Sequence, residues 1–236
     1  MRTIILTLLA LAMSASAALA ITVHINGTDY IAADYTMAYD FIHMSNSSWD
    51  DGANEINIVD YILDGRLLND GDHTYTLVNG TPNLNPTDTW FANGAVSIIM
   101  EEIAGYADTN TFGYYTMGGV LTEIFSGSDG IGATESFTLS PAAEFGFYLG
   151  VPNTLNPFYT EASKNAANEI HAAIFQVDNS NTYILGFEDL RLTNTDADYQ
   201  DMIVKVTINQ VPEPSTMLLI GTGLAGLGLL RRRFKS

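Results

Sequence analysis

The sequence predicts an all-β domain, a β-sandwich or jelly roll, on three observations. Asx-Gly pairs punctuate the chain, short β-branched and aromatic runs lie between them, and helix-friendly composition is confined to 161–170. The pairs are Asn26-Gly27, Asp51-Gly52, Asp64-Gly65, Asp70-Gly71, Asn79-Gly80, Asn93-Gly94 and Asp129-Gly130. Asx-Gly favours the positive φ angles of tight hairpin turns. The expected strands are 21–25, 37–44, 56–63, 74–78, 95–103, 112–117, 120–125, 136–139, 145–149, 170–177, 182–188 and 202–208. Many short strands at this spacing argue for a sandwich or jelly roll. Alternation is clearest in the last, where Met202, Val204, Val206 and Ile208 face in while Lys205 and Thr207 face out. The 161–170 stretch forms one short helix or an ordered loop. The segment before Ala95 is expected to give strands to the same sandwich, because about 70 polar residues make a marginal core alone.

The ends carry different chemistry. Arg2, an apolar run from Ile4 to Met13, and small residues ending Ala18-Leu19-Ala20 form the three parts of a secretory signal. Its apolar run is too short for a stable span, which needs about 20 residues. Residues 1–20 therefore read as a signal peptide cut by signal peptidase after Ala20, or alternatively after Ala18. At the other end, Val211-Pro212-Glu213-Pro214-Ser215 opens a charge-free stretch reaching Leu230, broken by Gly221, Gly223, Gly226 and Gly228. Arg231, Arg232, Arg233 and Lys235 follow. As a helix, 215–230 would span about 24 Å, short of a hydrocarbon core of about 30 Å. Its basic flank would lie on the cytoplasmic side. Transient insertion into the inner membrane suits this segment better than an ordinary single-span anchor.

Residues 21–210 make up the expected domain. Only Arg66, Lys164, Arg191 and Lys205 are basic between 21 and 211, and Glu213 is the one acid outside that segment. The segment thus holds 26 of the 27 acids and a formal charge of −22. Such a surface repels nucleic acid and anionic lipid and attracts cations. The chain has no cysteine, so neither disulfides nor thiolate metal sites are available.

The densest chemical signal is Ile184-Leu185-Gly186-Phe187-Glu188-Asp189-Leu190, followed by Thr195-Asp196-Ala197-Asp198-Tyr199-Gln200-Asp201. Read as a hairpin, it brings Glu188, Asp189, Asp196, Asp198 and Asp201 toward one end of the sheet. Two carboxylates about 5 Å apart repel by roughly 3 kcal/mol at an effective dielectric of 20. Arg191 is the only nearby cation in sequence. A hard divalent ion resolves the repulsion, and calcium accepts the irregular oxygen geometry of a loop. The pattern is no EF-hand: counting from Asp196, the sixth position is Asp201 and the twelfth Thr207. A solvated acidic loop and catalytic carboxylates are the competing readings.

Two resemblances follow. Pro212-Glu213-Pro214, the glycine-rich apolar stretch and the Arg231–Arg233 cluster resemble a PEP-CTERM sorting signal. That resemblance, confined to 211–236, implies removal of the tail by an exosortase at the surface of a Gram-negative bacterium, often one that makes exopolysaccharide. Residues 95–208 resemble a bacterial domain of unknown function common near the C-termini of secreted proteins. The resemblance rests on Gly186-Phe187-Glu188-Asp189-Leu190 with Asp196, Asp198, Tyr199 and Asp201. Asn110-Thr111-Phe112-Gly113-Tyr114-Tyr115, Phe145-Gly146-Phe147-Tyr148 and Phe158-Tyr159-Thr160 add to it. It implies a β-sandwich and calcium binding, with no reaction attached.

Other signals are weaker. His24, His43, His73 and His171 lack metal-ligand spacing and read as structural or exposed. Glu101 and Glu102 are adjacent, so in a strand they point to opposite faces and cannot flank one glycosidic bond. No nucleophile elbow, P-loop or dinucleotide fingerprint occurs. Trp49, Trp90 and the tyrosines could stack sugars, although a sandwich buries most aromatics. The expectation is a non-enzymatic, calcium-binding structural or adhesive protein of the cell surface or exopolysaccharide matrix. A carbohydrate-binding module and a hydrolase using the acidic cluster are the alternatives.

Overall fold

The computed structural model describes residues 21–25, 27–31, 58–68, 73–79, 87–103, 109–152, 154, 156–191 and 198–209. The expected signal peptide, the expected strand 37–44, Asp196 and the 211–236 segment lie outside the described residues. The strands are β1 (Thr22–Ile25), β2 (Thr28–Tyr30), β3 (Thr74–Leu77), β4 (Trp90–Ile103), β5 (Thr111–Thr116), β6 (Leu121–Ser126) and β7 (Thr134–Gly150). After them come β8 (Phe158–Tyr159), β9 (Ala172–Val177), β10 (Thr182–Phe187) and β11 (Met202–Ile208), and helix α1 (Ile58–Leu63) lies between β2 and β3.

All eleven strands join one sheet in the order β2-β1-β3-β9-β10-β11-β4-β7-β5-β6, with β8 on β7. Every pairing is antiparallel except β1 with β3. Four strand steps separate β10 from β5, which in a flat sheet would mean about 19 Å. Yet the rings of Phe187 on β10 and Phe112 on β5 lie 5.9 Å apart. The sheet therefore curls over and packs its own faces together. The all-β prediction holds, with the sandwich made by one continuous sheet folded over on itself.

Two long strands make the bend. The β4–β7 register breaks between Ala92 and Gly94, and Pro141, which has no N–H to donate, falls in the opposing stretch of β7. Asn93-Gly94 thus lies within β4, with Asn93 opposite a bulge of β7 at Ser140, Pro141 and Ala142 and Gly94 at φ 152°, and is not the hairpin turn expected. A second break, opposite Ile203 and Val204 of β11, leaves Glu101 as the extra residue of β4. Its buried carboxylate accepts the Leu68 N–H at 2.5 Å. The runs 136–139 and 145–149 merge into β7.

The core has two parts, divided by the central strands. Inside the curl lie Trp90, Phe112, Phe125, Phe145, Phe147 and Phe187, with Met202, Val204, Val206 and Ile208 from β11, as the alternation predicts. The opposite face contributes Ala173, Phe175, Val177, Ile184 and Ile203, covered by α1, β1 and β3. The expected strand 56–63 is in fact α1. Ile58, Val59, Ile62 and Leu63 recur at helical spacing and are all buried, so packing overrides their β-branched preference. The helix stops at Gly65, φ 66°, whose N–H reaches the Ile62 carbonyl at 3.0 Å. The 161–170 stretch is an ordered loop with two 3-10 turns, Ala162–Lys164 and Ala166–Asn168.

The turn after β9 locks β3 in place. The Asp178 N–H donates to the Thr74 carbonyl at 2.8 Å, and Asp178 Oδ1 accepts the Thr74 N–H at 2.9 Å. His73 Nδ1 contacts the second carboxylate oxygen. The Thr74 N–H, then His73, hold the Asp178 carboxyl below its ordinary value. A depressed acid stabilises the fold above its unfolded pKa, about 3.9, and this contribution disappears as pH falls through the folded value. Asp178→Asn should accordingly flatten the loss of melting temperature between about pH 4 and pH 2. Parallel pH profiles for the two proteins would contradict this.

Candidate functional site

The site forms where β10 leaves the sheet and β11 re-enters it. The Glu188 N–H donates to the His171 carbonyl at 3.0 Å, extending the β9–β10 pairing by one residue. His171 is fully buried under the Phe158 ring, stacked at 3.8 Å and 10°. Its Nδ1 lies 3.3 Å from the Glu188 carbonyl and its Nε2 3.1 Å from Glu169 Oε2. Burial pushes the His171 pKa down, against the hydrogen bonds that favour the charged ring. Burial pushes Glu169 up, but hydrogen bonds from Arg191 and His171 outweigh it and leave the carboxyl below its usual range. Arg191 grips Glu169 with a fork, Nε to Oε2 at 2.9 Å and Nη2 to Oε1 at 3.1 Å. The segment from Glu188 to Arg191 is therefore pinned at both ends.

The returning segment is fixed from the other side. Tyr199 sits at φ 56°, almost fully buried, with its phenol donating to the Ile170 carbonyl at 2.9 Å. The Asp198 carbonyl accepts the Ile58 N–H at 2.9 Å, which ties α1 to the loop. Gly186 makes room for this packing, since the Tyr199 carbonyl oxygen and Ile58 Cδ1 occupy the space that a Cβ would fill.

Between these segments, Glu188, Asp198 and Asp201 each present a carboxylate oxygen, all within 4.8 Å of one another. Glu188 is 0% exposed and Asp198 8%. Glu188 Oε1 accepts the Leu190 N–H at 3.1 Å, and Asp201 Oδ2 accepts the Asp189 N–H at 2.8 Å. Asp198 accepts the backbone and side-chain N–H groups of Gln200, each at 3.0 Å. Of the five acids singled out in the sequence, these three converge, and Asp196 lies outside the described residues. Asp189 sits at the margin, its Oδ2 accepting Asn110 Nδ2 at 2.8 Å.

Asn110 is the residue that sequence reasoning missed as part of a site. It precedes β5, is fully buried, and its Oδ1 has no hydrogen-bond partner among the described residues. The donors available are thus oxygens, a set that suits hard cations such as calcium and magnesium better than zinc.

Two clefts lie nearby. One of about 390 Å³ is bordered by Thr111, Leu121, Tyr148 and Pro152, and one of about 330 Å³ by Phe158, Lys164 and Arg191. Among the described residues no acid lines either cleft. Phe91 is the only strongly exposed aromatic among the described residues. No helix among them is long and apolar enough to cross a membrane.

Comparison with protein families adds two matches. The PEP-CTERM protein-sorting motif matches residues 210–233, and the Domain of unknown function DUF4114 matches residues 132–209. No curated protein matches the chain. The chain therefore carries a PEP-CTERM sorting motif behind a DUF4114 domain, and the motif marks an exported, exosortase-processed protein of a Gram-negative cell surface. The DUF4114 match takes in Glu188, Asp198 and Asp201 and excludes Asn110.

Proposed function

We propose that this exported chain is a non-enzymatic structural or adhesive component of the cell surface or exopolysaccharide matrix, with its domain folded around a calcium ion. Glu188, Asp198 and Asp201 are the ligands. The observation that carries the reading is the convergence of their oxygens within 4.8 Å. Calcium ligands lie about 2.3–2.6 Å from the ion, so oxygens around one ion stand no more than about 5.2 Å apart, a limit these three meet. The orphaned Asn110 Oδ1 beside Asp189 supports a neutral fourth ligand on the β5 side. The carboxylates belong to two segments that unfolding separates, so the ion binds the folded state and stabilises it. The clefts without acids and the scarcity of exposed aromatics favour this reading over a hydrolase or a flat sugar platform.

Thermal melting of the mature protein tests it. Extracellular calcium modules have Kd near 10⁻⁴–10⁻³ M, so 1 mM calcium should add about 0.4–1.4 kcal/mol. For a domain of this size that is a rise of about 1–5 °C over chelated protein, poorly reproduced by magnesium. Asp198→Asn should melt at the same temperature with and without calcium. An unmoved wild-type melting temperature at matched ionic strength overturns the proposal.

A further inference from the structure

Between 21 and 211 the chain has four basic side chains against 26 acids, and two of the four, Lys164 and Arg191, border the same cleft. The cleft measures about 330 Å³, and no acid lines it among the described residues. In a segment of charge −22 this gathers half of the basic side chains at one cleft, where Glu169 and Glu161 partner them from outside its lining. Arg191 is held in position: Glu169 engages Nε and Nη2, leaving Nη1 without a contact among the described residues and half the side chain exposed. A guanidinium fixed in this way loses little further freedom when it meets a second oxyanion. Lys164 is held loosely, 3.7 Å from Glu161 and 5.2 Å from the centre of the Tyr115 ring. Asn165 acts as a frame, because its amide is consumed by the Tyr159 backbone and the Glu169 carbonyl. Asn156, whose side chain makes no hydrogen bond among the described residues, supplies an open amide, and Phe158 and Pro157 supply apolar surface.

We propose that this cleft binds a hydroxylated organic carboxylate of monosaccharide size. Arg191 and Lys164 take the carboxylate, Asn156 the hydroxyls, and Phe158 with Pro157 the apolar side of the body. The volume lies at the small end of ligand pockets, about 300–1,000 Å³, which fits a single unit better than a longer chain. None of the three proposed calcium ligands lines this cleft.

Titration calorimetry of the mature protein with galacturonate, and with neutral galactose as control, tests the assignment. Galacturonate should bind in chelator as well as in calcium, and galactose should not. Lys164→Gln and Arg191→Gln should each weaken binding about tenfold or more, the loss expected for one charge-assisted contact. Lys164→Gln leaves the Arg191–Glu169 fork intact, so its readout survives even if Arg191→Gln disturbs the fold. Absence of saturable galacturonate binding, equal binding of galactose, or unchanged affinity in Lys164→Gln overturns the proposal. Binding that requires calcium and survives both substitutions would move the ligand to the metal centre and overturn it equally.

Discussion

Replacing Phe112 by alanine should destabilise the mature protein by about 3–5 kcal/mol, the usual cost of emptying a buried phenylalanine site. Phe112 is fully buried, and its ring stacks on Phe147 at 5.2 Å and Phe125 at 6.3 Å while meeting Phe187 edge-on. Those partners belong to β7, β6 and β10, so one side chain spans the curl from its outer strands to its centre. Removing it leaves a cavity that cannot close without moving β5, which is paired on both sides. For a domain of this size the melting temperature should fall by about 6–20 °C. Leu121→Ala, at an exposed position on the edge strand, should stay within about 0.5 kcal/mol. Chemical denaturation in chelator measures both, and a Phe112→Ala cost near that of Leu121→Ala would mean that the curl does not close there. Asn110 precedes β5 by one residue, so the same variant should also weaken any calcium response.

The local pattern carried some of this and missed the rest. The alternation in 202–208 is readable because a strand buried on one face repeats every two residues, and β11 obeys it. The sequence pattern did not reveal that Ile203 is buried on the opposite face, because α1 covers that face from more than a hundred residues away. Nor did the run 56–63 declare itself a helix: at six residues, an apolar β-branched segment reads either way, and the choice was made by packing on Ile184 and Tyr199. The continuous sheet follows from strand pairings between distant segments, which no local period encodes. At the site, the approach of Glu188 and Asp201 was legible because β10 and β11 pair antiparallel with Phe187 opposite Met202, so the residues just beyond those two ends meet. Asp189 is not among the three carboxylates that converge, and nothing in the local pattern set it apart from Glu188. Asn110 lies 79 residues from Asp189 and carries no charge, and only the closure of the curl gives it a role.

Gly186→Ala should cost about 3 kcal/mol and also abolish the calcium response, which separates it from an ordinary core lesion. A Cβ at this position would lie 2.3 Å from Ile58 Cδ1 and 2.3 Å from the Tyr199 carbonyl oxygen. The isoleucine methyl is the end of a flexible chain and can rotate away. The carbonyl cannot: Tyr199 is held at φ 56° with its phenol on Ile170, and the preceding carbonyl is bonded to the first residue of α1. Nor can Gly186 retreat, because β10 is paired to Ala173 on one side and Ile203 on the other. The strain must be relieved by the loop that carries Asp198 and Asp201, and moving that loop pulls two of the three carboxylate donors away from Glu188. Gly118→Ala provides the control, since its nearest contact is the Thr116 hydroxyl at 3.8 Å and its φ is not in the positive range. That change should alter stability by no more than about 0.5 kcal/mol and leave the calcium response intact. Melting both variants with and without calcium separates the cases. A Gly186→Ala protein that still gains the wild-type increment from calcium would show that the Asp198–Asp201 loop has no part in holding the ion.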